Sequence, residues 1–250
     1  MTLDISVVVP LYDEESNVEP FHREVAGVLG PLGRPYEIIF IDDGSRDDTF
    51  GRLGIVYATD PHVRVIRFAR NFGQTAALAA GFAHARGRVI VTCDGDLQND
   101  PADIPRLLEA VRDHDVVCGW RKARRDAYLT RYLPSVVANW LLSLASGIRL
   151  HDNGCSLKVF RAEVVKPLTL TPGMHRYLPA LAGQLGGRVT EVVISHRPRR
   201  FGRSKYGLSR TFGVVRDLVR LRRLRQAAIA PRPNRPPLYE IAEILEGAER

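Results

Sequence analysis

The stretch Val91-Thr92-Cys93-Asp94-Gly95-Asp96-Leu97-Gln98-Asn99-Asp100-Pro101 combines residue types and a spacing that could do chemistry. Asp94 and Asp96 flank a glycine, which lets the backbone turn sharply and bring both carboxylates towards one point. Two hard oxygen ligands at a turn suit Mg²⁺ or Mn²⁺, which completes its shell with substrate phosphates and water. The same residues also suit a plain strand-to-helix loop, with Asp100 capping a helix begun at Pro101. An isolated D-x-D pair does not decide between these readings; its neighbours in the fold do. Three more acids, Asp13, Asp42 and Asp43, follow apolar runs in the same manner.

The elements that must position these acids can be read from the apolar pattern. Residues 5–10 (ISVVVP) and 36–41 (YEIIFI) are short, continuous and rich in β-branched residues, as in strands buried on both faces. Further strands are expected over 63–68, 88–92 and 115–119. Helices are expected up to about Leu29, after Asp47-Asp48-Thr49, over 74–86 and over 101–112. The alanine-rich 74–86 helix would let a neighbour approach closely. This alternation predicts an α/β chain with a right-handed, mostly parallel sheet and helices on both faces. Asp13, Asp42, Asp43, Asp94 and Asp96 then all fall at strand carboxyl ends, where ligands bind in open α/β sheets. Acids sharing one edge repel one another unless a cation sits among them. Later, Asp152-Asn153-Gly154-Cys155 reads as a turn before residues 157–160, and 189–195 as a late strand. No G-x-G-x-x-G, G-x-x-x-x-G-K-[S/T] or G-x-S-x-G occurs, which disfavours a dinucleotide dehydrogenase, a P-loop NTPase and a serine hydrolase.

The chain of 250 residues is 45% hydrophobic, enough for a packed core, and carries a net charge of +8. Between Arg197 and Arg225 eleven Lys/Arg face a single acid, Asp217, so this segment carries +10 and the rest −2. Such a concentrated patch points to phosphates, whether of a ligand, a membrane surface or a nucleic acid. Within it, residues 208–226 pattern as an amphipathic helix with an arginine-rich face. Residues 132–148 are uncharged but interrupted by Pro134 and polar side chains, and bracketed by Arg131 and Arg149. They read as part of a buried or interfacial helix over about 126–148. No window reaches the roughly 20 apolar residues that span a bilayer. Residues 1–4 show no leader pattern, and three widely spaced cysteines argue against a disulfide framework or a zinc site; both fit a cytoplasmic protein. Residues 1–226 read as one catalytic domain. Residues 227–250 read as a proline-rich linker followed, from Leu238, by a short acidic helix or disordered tail.

The stretches VVVPLYDEESN, FIDDGSRDDT, RNFGQTAALAAGF, CDGDLQNDP, GWRKARRD and RPRRFGRSKYG, together with Arg131, Ser135 and HDNGC, resemble family 2 glycosyltransferases of GT-A fold. They are most similar to the dolichol-phosphate mannose synthase and polyprenyl-phosphate glycosyltransferase branch, over about residues 5–226. The resemblance implies an inverting, metal-dependent transfer of one sugar from a UDP- or GDP-sugar to a polyprenyl or dolichyl phosphate at a membrane surface. It implies that Pro10, Tyr12, Glu14 and Asp42 contact base and ribose, with Asp43 supporting them. Asp94 and Asp96 would address Mg²⁺ or Mn²⁺ and the diphosphate, with Gln98 nearby. Arg121 and Arg124 would approach sugar or phosphate, and Arg131 and Ser135 the acceptor phosphate. Asp152 would lie beside the acceptor, its positioning role outweighing that of a base. Arg199, Ser204 and Lys205 would sit in a loop closing over the diphosphate. The Q-x-x-R-W motif of processive members is missing, which disfavours polymerisation. Many relatives continue into membrane helices; a chain without them would reach its lipid by lying on the membrane or docking to a membrane-embedded partner. A soluble or protein acceptor is the alternative. A nucleic-acid-binding domain is disfavoured because the acidic sheet edge would repel a polyanion.

Overall fold

Four apolar, β-branched runs form the middle of the sheet in the computed structural model, which describes residues 3–122, 143, 147–198 and 238–247. Strands β1 (Ile5–Leu11), β2 (Tyr36–Asp42), β3 (Val63–Phe68) and β4 (Val89–Thr92) are parallel, and β1 lies between β2 and β4. Strand β6 (Lys158–Arg161) runs antiparallel between β4 and β5 (Val116–Trp120), and β7 (Val189–Val193) is parallel to β5. Strand β8 (Ile241–Leu245) closes the far edge, antiparallel to β3, giving the order β7-β5-β6-β4-β1-β2-β3-β8. The expected mostly parallel α/β sheet is therefore present, with two antiparallel strands added.

Helices cover both faces. On one face, α1 (Val18–Leu29), α2 (Thr49–Thr59) and α4 (Ile104–Ala110) bury Phe21, Val25, Leu53 and Leu107 against Val7, Val9, Phe40 and Val91. On the other, α3 (Gln74–His84), the single turn α5 (Ala162–Val165) and α6 (Leu178–Gln184) pack against Val8, Ile39, Ile41 and Ile90. The period-two alternation of β1 sends Val7 and Val9 one way and Val8 the other. The small residues of α3 bring its axis close to the sheet: a Cβ added at Gly81 would stand 2.2 Å from Val8 Cγ1. The helix expected over 101–112 is a 3₁₀ turn, Pro101–Asp103, followed by α4, and Asp100 Oδ1 accepts from Ala102 N at 3.0 Å as a cap.

One expectation is corrected. Instead of an acidic helix or disordered tail, the segment after Leu238 contributes β8. Ala69 N donates to Glu240 O at 3.0 Å, Tyr239 stacks on Phe68 with ring centroids 5.0 Å apart, and Glu246 pairs with Arg64 at 2.7 Å. Arg64 is itself buried and bonded to Glu37 at 2.9 Å, so the last strand ties into a polar cluster at the amino-terminal ends of β2 and β3. The helices expected over 208–226 and over most of 126–148, and the proline-rich stretch 227–237, lie outside the described residues.

Candidate functional site

The loops after β1, β2, β3 and β4 meet at the carboxyl edge of the sheet, and their acids are held by neighbouring backbone. The loop after β1 is bound to the one after β2. Asp13 N donates to Ser45 Oγ at 2.9 Å, Arg46 N to Asp13 Oδ1 at 2.7 Å, and Glu14 N to Thr49 Oγ1 at 2.8 Å. Asp13 has φ 48°, a left-handed conformation rare outside glycine, fixed here by those bonds. Pro10 lies in β1 opposite Ile41, and Tyr12 and Glu14 are half-buried on the same loop.

Asp42 ends β2 fully buried. Its Oδ1 accepts from Ser45 N at 2.9 Å, whereas buried Oδ2 has no hydrogen-bond partner and stands 3.7 Å from Arg67 Nε. Burial raises its pKa in spite of the Ser45 contacts. Asp43 accepts from Phe72 N at 2.7 Å and Gly73 N at 2.9 Å, and burial pushes its carboxyl up to about 6 even against those two donors. The contact between these loops needs Gly44: its φ is 68°, and a Cβ there would stand 2.3 Å from the Arg70 carbonyl carbon.

The D-x-D turn after β4 is pinned from three sides. Gln74 Nε2, in the first turn of α3, donates to Asp94 Oδ1 at 2.8 Å. Asp94 N donates to Ser156 Oγ at 3.3 Å, and Asn99 Nδ2 donates to the same oxygen at 2.8 Å. Gln98 N donates to Asp96 Oδ1 at 3.1 Å. Leu97 between them has φ 61° while its side chain is 1% exposed, so core packing holds a strained backbone in place. Two carboxylates set by a fixed turn fit a hard divalent cation. Among the described residues no three His, Cys, Asp or Glu gather at metal-holding distance.

On the other side of β4, Arg121 and Asp152 form a buried bidentate pair, with Nε–Oδ2 at 2.7 Å and Nη2–Oδ1 at 2.9 Å. Burial acts to lower the guanidinium pKa, but the hydrogen bonds and charge of Asp152 more than offset it and the net shift is upward. Asp152 N donates to Glu191 Oε1 at 3.0 Å, which fixes the turn onto β7. The basic segment begins docked on the acidic loop. Arg197 N donates to Gln98 O at 2.8 Å, and the Arg197 guanidinium pairs with Asp100 and Glu24, each at 2.6 Å.

Thus Pro10, Tyr12, Glu14, Asp42, Asp43, Asp94, Asp96 and Gln98 gather along one edge, with the Arg121–Asp152 pair across β4. Arg124, Arg131, Ser135, Arg199, Ser204 and Lys205 lie outside the described residues. Gln74, Ser156, Asn99 and Glu191 position the acids without having been singled out from sequence. Amides and hydroxyls at these separations leave no spacing signature. Cys93, Cys118 and Cys155 are buried and free, and burial pushes Cys118 up to about 12 and Cys155 up to about 11, which keeps both thiols protonated and poor nucleophiles.

Residues 6–169 match the profile described as Glycosyl transferase family 2. The chain belongs to glycosyl transferase family 2. It is 44% identical over 229 residues to dodecaprenyl-phosphate galacturonate synthase of Rhizobium johnstonii, covering 87% of this chain and 66% of that protein. It is 36% identical over 217 residues to undecaprenyl-phosphate 4-deoxy-4-formamido-L-arabinose transferase of Pseudomonas aeruginosa, covering 86% of this chain and 64% of that protein. The chain therefore spans just under two thirds of the length of these curated relatives. Among solved structures, glucosyl-3-phosphoglycerate synthase of Mycobacterium tuberculosis bound to phosphoglyceric acid superposes with TM-score 0.65 at 21% identity, over 92% of this chain and 81% of that one. The same enzyme with Mn²⁺ and UDP-glucose also gives TM-score 0.65 at 21% identity, over 89% and 79%. At that identity the likeness speaks for the fold, the GT-A architecture. The family 2 match includes Asp42, Asp43, Asp94, Asp96, Arg121 and Asp152, while the basic segment from Arg197 lies beyond it.

Proposed function

We propose that this family 2 protein transfers a single sugar from a nucleotide-diphosphate sugar to a polyprenyl phosphate, inverting the anomeric centre. The observation that carries the reading is the convergence of Asp42–Asp43 and Asp94–Asp96 on one sheet edge. The polyprenyl-phosphate activities in the relatives' names support the acceptor class. Asp42 offers a buried carboxylate oxygen without a hydrogen-bond partner, an acceptor suited to an N–H or O–H of base or ribose. Pro10, Tyr12 and Glu14 flank that position. Asp94 and Asp96 would hold Mg²⁺ or Mn²⁺, which when bound neutralises charge on the diphosphate.

In the reaction an acceptor phosphate oxygen attacks the anomeric carbon as the bond to the nucleoside diphosphate breaks in line. Negative charge builds on the leaving group, and cationic side chains placed there stabilise the transition state more than the ground state. Arg124, Arg199 and Lys205 are assigned that position, and Arg131, Ser135 and Ser204 the acceptor phosphate. A phosphate monoester has a second pKa of about 6 and is largely ionised near neutrality, so the attack needs no strong base. That agrees with Asp152, whose two oxygens already accept from Arg121: its role is to hold the guanidinium towards the sugar.

Among the described residues no helix is long and apolar enough to cross a membrane. The basic segment 197–225, together with the helix expected over 126–148, gives a means of reaching a lipid acceptor from the cytoplasmic face. The test is incubation with radiolabelled UDP- and GDP-sugars, Mg²⁺ or Mn²⁺ and short polyprenyl phosphates. Lipid-linked label is expected with one donor. Absence of transfer in every pairing, with intact donor binding, would move the acceptor to a soluble or protein class.

A further inference from the structure

Lys158 in β6 is 5% exposed, a burial that lysine almost never shows without a partner of opposite charge. Among the described residues it pairs with no carboxylate. Its Nζ donates instead to the main-chain carbonyls of Asn153, at 3.2 Å, and of Cys155. Those carbonyls belong to the turn that presents Asp152, which is itself buried. The amides at the start of that turn go elsewhere: His151 N and Asp152 N donate to Glu191 Oε1 at 2.9 and 3.0 Å. Lys158 and Glu191 stand on the same face of the sheet, because each is a cross-strand neighbour of Cys118, one in β6 and the other in β7. A cation therefore gathers carbonyls, and an anion gathers amides, of a single turn. Cys155 N closes that turn by donating to Asp152 O at 3.3 Å. The next residue is anchored separately: Ser156 O accepts from Thr92 Oγ1 at 2.8 Å, while its hydroxyl serves Asp94 and Asn99.

We infer that Lys158 is a positioning residue for sugar transfer: with Glu191 it clamps the turn 151–155, so that the Asp152 carboxylate holds the Arg121 guanidinium in place. This rests on the transferase reading above, in which that pair faces the sugar. Packing alone does not account for the lysine, since methionine would fill a similar volume without the cost of burying a charge. The main-chain carbonyls of a buried turn need donors, and an ammonium offers three to carbonyls that converge on it. Asp152 meets Arg121 through two parallel bonds, at 2.7 and 2.9 Å, a fork that a small displacement of the turn would break. The D-x-D loop is tied through Ser156 instead. The clamp therefore bears on the Arg121–Asp152 side of the site and leaves the side assigned to metal and diphosphate in place.

The experiment is a double-mutant cycle between Lys158→Met and Asp152→Asn, read by steady-state transfer and by amide hydrogen exchange. Lys158→Met is expected to lower kcat roughly tenfold to a hundredfold, as a misplaced catalytic group does, with the donor KM changed severalfold less. In the Asp152→Asn background the same substitution is expected to cost almost nothing further, because the group it positions is already gone. A general loosening of the fold would instead add its cost in both backgrounds. Exchange of the Asp152 and Cys155 amides is expected to quicken about tenfold while that of Val7 in β1 stays as in the wild type. Lys158→Arg, which keeps the cation and its donors, is expected to recover most of the lost kcat. Wild-type kcat in Lys158→Met, or equal losses in both backgrounds, overturns the inference. Should Lys158→Met yield no folded protein, the same cycle with Glu191→Gln, which loosens the turn from its other side, decides by the same two outcomes. A wild type that transfers no sugar sinks the transferase reading, and exchange alone then judges the clamp: faster exchange at Asp152 and Cys155 keeps it, unchanged exchange removes it.

Discussion

At the scale of single residues, the acids of the sheet edge differ in what their environments ask of them. Asp96 is 8% exposed, and its Oδ1 accepts from the main-chain Gln98 N. Asp96→Asn keeps an acceptor for that donor while removing the charge. Transfer is therefore expected to fall by roughly a hundredfold or more with the melting temperature nearly unchanged; activity within a few-fold of wild type would withdraw the metal–diphosphate assignment. Asp43 makes a different prediction. Its folded value near 6 lies above the ordinary 3.8 because burial penalises the charge. The native state thus binds the proton more tightly than the unfolded chain, and this group stabilises the fold fully below about pH 4. That contribution is lost as pH rises to about 6, at up to about 1.4 kcal/mol per pH unit. Asp43→Asn should remove this slope, so that urea unfolding of wild type and variant diverges between pH 4 and 6. Parallel profiles through that window would show that Asp43 is ionised throughout.

At the scale of elements, the site is a consequence of how closely α3 sits on the sheet. Gln74 reaches Asp94, and Phe72 and Gly73 reach Asp43, because Gly81 lets the helix lie on Val8. Gly81→Ala should gain about 1 kcal/mol of helix propensity and lose more, about 1–3 kcal/mol, to overpacking. Net destabilisation by thermal melting, with weakened donor binding, is the expected result; a stabilised variant would show slack beneath α3. The strands that carry the acids were legible because 5–10 and 36–41 are apolar, β-branched and continuous, the mark of burial on both faces. So were the acids themselves, which follow those runs directly. Two things were not. Ile241–Leu245 (IAEIL) alternates weakly, carries a glutamate and consists of residues that also favour helix, and its partner β3 lies more than 170 positions earlier in the chain. Its identity comes from pairing, not from local preference. Likewise Gln74 and Ser156 become functional only by meeting Asp94, which no spacing announces.

At the scale of the whole molecule, charge is divided: +10 within residues 197–225 and −2 elsewhere. Arg197, the first of those cations, is spent on Asp100 and Glu24 and ties the start of the segment to the acidic loop. If the remainder meets a lipid surface, each Lys or Arg near it is worth about 1 kcal/mol, within a Debye length of about 10 Å at 0.1 M salt. Flotation with anionic vesicles should therefore recover the protein at low salt and release it near 1 M, where screening shortens that length to about 3 Å, while neutral vesicles should recover little. Recovery independent of lipid charge would point to an apolar anchor instead. The position of β8 has a separate consequence. It occupies the outer hydrogen-bonding side of β3 along Val65–Phe68. A chain cut before Leu238 would bare that row of backbone donors and acceptors, a ready template for strands from other copies. Such a protein should self-associate, scattering light at concentrations where the full chain does not; equal scattering by the two would show that covering β3 has no such effect.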